Sequence, residues 1–170
     1  MSHVQPAGAG TPADAGMPAD ADLQEIVGEV WSSYLDPEGL HPLLPADPAK
    51  AKFDAMSAVS ITGSWHGHVM FACTEKAARN VAAAFLAMDP SEVSDEDVAD
   101  VLGELANIVG GNVKSMLPNG CFLSLPHVVL SQDTSTHWPG VDRMAVLSGT
   151  WQGESVTVSM WKQRDGGTPQ

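Results

Sequence analysis

The sequence predicts an α+β layer fold with the element order α-β-β-α-α-β-β-β. Three observations carry this. The middle of the chain holds long runs with apolar residues at helical spacing. The C-terminal third changes to alternation of apolar and polar residues, the period of half-buried strands. Successive strand-like runs are joined by short glycine-bearing turns, as antiparallel neighbours are, while the helical runs stay segregated. At 170 residues, 44% of them hydrophobic, the chain suits one domain with a substantial core. That domain is expected over 22–163.

The first 21 residues are mostly Ala, Gly, Pro and Asp. They lack the apolar surface to offset ordering entropy and read as a disordered, solubilising tail. Asp22 can cap a helix that carries Leu23, Ile26, Val27, Val30, Trp31 and Leu35 at helical spacing. Asp36-Pro37 and Gly39 end it. Three prolines make HPLLPADPAKAKFD a loop or, at most, an irregular edge. MSAVSITG and WHGHVMFACT read as two strands of a hairpin with a two-residue turn at Gly63-Ser64. Thr74 caps the next helix, EKAARNVAAAFLAM, which Asp89-Pro90 breaks. Ser94 and Asp97 sit at N-cap and N3 of a long helix that Pro118, Asn119 and Gly120 stop. CFLSLPHVVLS, DRMAVLSGTWQG and ESVTVSMWKQ read as three strands, the last two joined by a tight turn at 151–154. Residues 164–170 read as a disordered end. There is no internal repeat.

The long helix has two unlike faces. Val98, Val101, Leu102, Leu105, Val109, Val113 and Met116 form a stripe that should pack on the core. The opposite face holds Asp100, Glu104, Asn107, Gly111 and Lys114. Glu104 and Asn107 are three apart, so they are neighbours on the solvent side. Asn in an exposed helix interior costs up to roughly 0.7 kcal/mol relative to Ala, and Gly about 1 kcal/mol. A face chosen for folding alone would carry neither. A stripe of small residues, Ala99, Gly103, Ala106 and Gly110, flanks it and could admit a helix or a partner. Asn112 is expected at the core flank as a structural residue.

Charge excludes several functions. There are 21 Asp and Glu against 8 Lys and Arg, a formal net charge of −13. Neither nucleic acid nor an anionic membrane surface suits that balance. No apolar run approaches the ~20 residues of a membrane span, and the N-terminus lacks the features of a signal peptide. Cys73 and Cys121 lie in apolar runs and read as buried, reduced thiols. A cytoplasmic protein is expected.

The segment Glu104-Leu-Ala-Asn107, then Gly111-Asn112, then a proline-bearing strand (Leu123 to Pro126), resembles the CheX branch of the CheC/CheX/FliY family. The element order is similar too, and the likeness spans roughly 22–162. A single Glu-x-x-Asn helix fits the single-site CheX form. Asp100 fills the acidic position four residues before the Glu. The spacing onward to the proline is shorter than in the CheC pattern. The resemblance implies an antiparallel-rich sheet against two long helices and a phosphatase of chemotaxis-type two-component signalling. Its substrate would be the aspartyl phosphate of a phosphorylated CheY-like response regulator. Carried over, Asn107 orients the attacking water and Glu104 pairs with the regulator's lysine. Asp100, Gly103, Gly111 and Lys114 would contact the partner. The Mg²⁺ would belong to the regulator, with no cofactor or metal of the protein's own, and a homodimer joined through the sheets is implied.

The chemistry agrees. An acyl phosphate is already reactive, so positioning water in line is most of the task. A carboxamide can both donate to and accept from water without titrating, and a carboxylate can fix docking through a charge-assisted contact. Other readings stand beside this one. The same fold could bind or scaffold a regulator without hydrolysis. Glu104 alone would be an ordinary solvated glutamate, and Lys114 a solvated lysine favoured by the helix dipole. His66 and His68, two apart on a strand, could join His127, His137 or a cysteine in a metal site, though no recognised ligand spacing supports it. The five tryptophans read as core or interface residues.

Overall fold

Why the sheet lies where it does follows from the alternation in its strands. The computed structural model describes residues 16–130 and 139–165. In β2 (Ala55–Gly63) and β3 (Gly67–Cys73), Ala55, Val59, Ile61, Val69, Phe71 and Cys73 point to one face. In β7 (Glu154–Gln163), Val156, Val158 and Met160 do the same. Onto that face pack three helices: α1 (Asp20–Val30), α2 (Glu75–Leu86) and α3 (Asp95–Ser115). The intervening residues Met56, Ala58, Met70 and Ala72 form a second cluster on the far face, with Phe53, Val129 and Trp161 against it. Burying these side chains supplies the main driving force, about 25 cal/mol per Å² of apolar surface.

The sheet is antiparallel throughout. Its order is β1-β6-β7-β3-β2, with β1 being Leu44–Pro45 and β6 Val141–Trp151. Beyond β2 lie two short strands, β4 (Cys121–Leu123) and β5 (His127–Leu130), both paired to it. The expected α+β fold is therefore present, as is the expected irregular edge, which is β1. Gln152 and Gly153 (φ 51° and 80°) make the primed turn between β6 and β7.

Several boundaries differ from expectation. Helix α1 starts at Asp20, and Asp22 is its N3 residue rather than its cap: its carboxylate accepts from the Ala19 amide at 2.8 Å. A π-turn, Trp31–Leu35, carries the helix to its expected end. Strand β2 runs through Gly63, so the hairpin turn is Ser64–His66, longer than two residues. The single strand expected over 121–131 is broken after Leu123. Met116 is the C-cap of α3 and is 39% exposed, not part of its core stripe. The tail and the chain's end lie largely outside the described residues. Both cysteines are free and buried. Among the described residues, no helix is long and apolar enough to cross a membrane.

Candidate functional site

The site is built on α3, and α3 is held at three points. The Ser94 hydroxyl accepts from the Asp97 amide at 3.1 Å while the Asp97 carboxylate accepts from the Ser94 amide at 3.0 Å. This reciprocal cap satisfies two backbone donors, and three acidic residues in the first turn complement the dipole. From α2, the Arg79 guanidinium donates to the Val93 carbonyl and to Asp95. In mid-helix the buried Ser57 hydroxyl of β2 donates to the Leu102 carbonyl at 2.7 Å. A rigid element fixed in this way is a better platform for inserting side chains than a loop.

The core stripe is as expected from Val98 to Val113. On the opposite face Asp100 and Glu104 are exposed and Asn107 is half-buried. All three line one shallow depression with Ala99, Gly103, Pro126 and Val128. Neither Glu104 nor Asn107 has a side-chain partner among the described residues. A β-carbon at Gly111, one turn beyond Asn107, would meet nothing within 4 Å.

The small stripe does other work than expected. Gly103, Ala106 and Gly110 are buried, so they do not admit a neighbouring helix. A β-carbon on Gly103 would lie 3.3 Å from Pro126 Cγ, and one on Gly110 2.5 Å from Val59 Cγ2. These glycines let the sheet approach the helix backbone. Gly103 is thus a floor of the depression beneath Pro126 rather than an exposed contact. Lys114 is half-buried, less open than expected. Asn112 is exposed, not at the core flank, and its amide donates to the Ile108 carbonyl at 2.8 Å.

Pro126 reaches the helix because of a bulge. Leu123 pairs with Ile61 and His127 with Ala58, so four steps along the edge match three along β2. Both backbone groups of Ser60 remain satisfied: its amide donates to the Ser124 side-chain Oγ and its carbonyl accepts from the Ser124 amide, both at 2.9 Å. Sequence reasoning marked the proline but not the wall it forms with Val128.

The histidines are not brought together. His66 lies exposed in the turn, while His68 is buried and stacked on Trp161 at 6.0 Å. Desolvation lowers the His68 pKa to about 4. Among the described residues, no group of three His, Cys, Asp or Glu is placed to hold a metal; His137 lies outside them. A larger groove of about 560 Å³ runs between α1 and β1–β6, past Trp31, Leu43 and Val146. It contains none of the residues of the α3 face.

The α+β fold is of the CheC/CheX-like class. The family model described as chemotaxis phosphatase CheX matches residues 55–148, more than half of the chain. The chain belongs to the CheX family. No curated relative matches it. Among solved structures, the CheX–CheY–BeF3–Mg²⁺ complex from Borrelia burgdorferi is similar at 16% identity and TM-score 0.71, over 88% of this chain and 99% of that one. The chemotaxis protein CheX from Vibrio vulnificus is similar at 17% identity and TM-score 0.68, over 82% and 93%. A CheC-like superfamily protein from a Shewanella species is similar at 19% identity and TM-score 0.68, over 85% and 98%. At these identities the likeness is one of fold.

Proposed function

We propose that this protein hydrolyses the aspartyl phosphate of a CheY-type response regulator. The observation that carries the reading is the pair Glu104 and Asn107, unpartnered side by side in the depression on a helix fixed at three points. Membership of the CheX family and the Borrelia CheX structure's complex with CheY support it. Asn107 enters the regulator's active site, where its carboxamide holds a water in line with the scissile P–O bond. Glu104 makes a charge-assisted contact with the regulator's lysine and sets the docking angle. Asp100 and Lys114 border the contact, and Gly111 gives the partner room. The phosphoaspartate and the Mg²⁺ belong to the regulator, so this chain contributes half of a composite site. The protein acts as a homodimer in the cytoplasm, a state that sedimentation can check.

The test is decay of the phosphorylated regulator. Wild type accelerates it, and Asn107→Ala lowers kcat on the order of 100-fold, the scale of a lost positioning group. A variant as fast as wild type would show that the site assignment is wrong. Complex formation with an unchanged phosphoryl lifetime would leave the binding-module reading instead.

A further inference from the structure

We propose that the bulged β4–β5 edge is the apolar docking rim for the response regulator, with Leu125 as its anchor. The proposal rests on the phosphatase reading of the α3 face. Among the described residues, four of the eight large exposed apolar side chains, Met116, Phe122, Leu125 and Leu130, fall between the end of α3 and the end of β5. Leu125 is the most exposed of these, at 89%.

The bulge is what frees it. Leu123 packs toward Gly110 and Pro126 toward Gly103, so both face α3. In a regular strand one residue would separate two that share a face. Here two do, and they are turned out to the edge. Ser124 is tied back to Ser60. The Leu125 side chain stands in solvent, adjoining Pro126 in the wall of the depression that holds Glu104 and Asn107. An apolar rim continuous with that depression is met by whatever enters it.

A second copy pairing strand to strand is a poor occupant. The edge is cut into pieces of three and four residues with a proline between them, the form that blocks edge-to-edge pairing. Charge points to the regulator's need for apolar contact. With a net charge of −13 and carboxylates in the depression, this chain gains no long-range attraction for an acidic phosphorylation pocket. Leu125 supplies attraction that does not depend on charge.

The experiment uses the host's CheY-type regulators, phosphorylated with acetyl phosphate in Mg²⁺, taking the one whose decay the wild-type protein accelerates most. Leu125→Ala is expected to raise KM about tenfold, equal to about 1.4 kcal/mol, with kcat held within about twofold. Leu40→Ala, at a residue 66% exposed in the loop after α1, should leave both parameters unchanged. An unchanged KM for Leu125→Ala, while Asn107→Ala still lowers kcat, overturns the docking rim and leaves the function standing. An equal rise for Leu40→Ala overturns it too, since any exposed apolar group would then serve. If no regulator's decay is accelerated, or Asn107→Ala is fully active, the phosphatase reading falls and the rim with it.

Discussion

Alanine at Gly111 should stabilise the protein and weaken its action. A β-carbon there has no atom within 4 Å, and the residue adopts ordinary helical backbone in α3. The substitution therefore gains helix propensity and constrains the unfolded chain, together about 0.5–1 kcal/mol. For a chain of this size that is a rise of about 1–4 °C in Tm. Gly110, its neighbour, should respond in the opposite sense. Its β-carbon would sit 2.5 Å from Val59 Cγ2, and Val59 is buried and stiff at χ1. Overpacking costs about 1–3 kcal/mol, enough to outweigh the helix gain. Thermal melts of the two variants beside wild type check the signs. The regulator-decay assay then checks function: the methyl group at 111 fills the approach path, so Gly111→Ala should raise KM while the fold is firmer. A lowered Tm for Gly111→Ala, or a raised one for Gly110→Ala, would refute the packing argument. A firmer Gly111→Ala with unchanged KM would remove the partner-clearance role.

Three further outcomes are expected. His68 is held neutral by burial, with a folded pKa near 4 against 6.5 unfolded. The unfolded state binds the extra proton in that window, so stability is full above pH 6.5 and lost as pH falls toward 4, by up to about 3 kcal/mol. Urea titrations at pH 7 and pH 4.5 should show a smaller difference for His68→Phe than for wild type; an equal difference would clear His68. Association with an acidic regulator should tighten as salt rises, because screening weakens repulsion from the net charge of −13; weaker binding at high salt would mean that local attraction dominates. Ser57→Ala should cost about 1 kcal/mol, since it removes the bond to Leu102 O while that carbonyl keeps its helical partner; chemical denaturation reads it directly.

How far the sequence discloses this site depends on which kind of constraint is at work. Helix α3 is legible because its cap, its period and its stop are local: the cap is as expected, the period holds from Val98 to Val113, and the helix ends at Ser115, short of Pro118. Glu104 and Asn107 are legible because they are costly on a solvent face. The width of the buried arc is not. Periodicity gives the direction of the core but not how far the sheet wraps around the helix, so Gly103 and Gly110 look like a second open stripe. Only the contacts with Pro126 and Val59 show that they are covered. The same limit explains His68. Alternation places it on the far face, and nothing local says that this face is itself packed around Met56 and Met70. The break in the 121–130 edge is hidden for another reason: an extra residue is visible only against the partner strand's register.

That extra residue is absorbed by the bulge, which shifts the alternation of everything after it by one position in the chain. Pro126 and Val128 share the α3 face with Leu123 although they lie three and five residues beyond it, and His127 and Val129 face away, because the bulge absorbs one residue. Deleting one residue at 124–125 would make the edge regular: the register of β5 on β2 and the facing of Pro126 and Val128 would stay, but the outward turn that presents Leu125 would be lost. Insertions and deletions are therefore not neutral in this short edge, although it looks like a loop. The interval along the chain from Asn107 to Pro126 is thereby fixed by geometry. A sequence pattern that counts residues from the helix to the proline is in effect detecting the bulge.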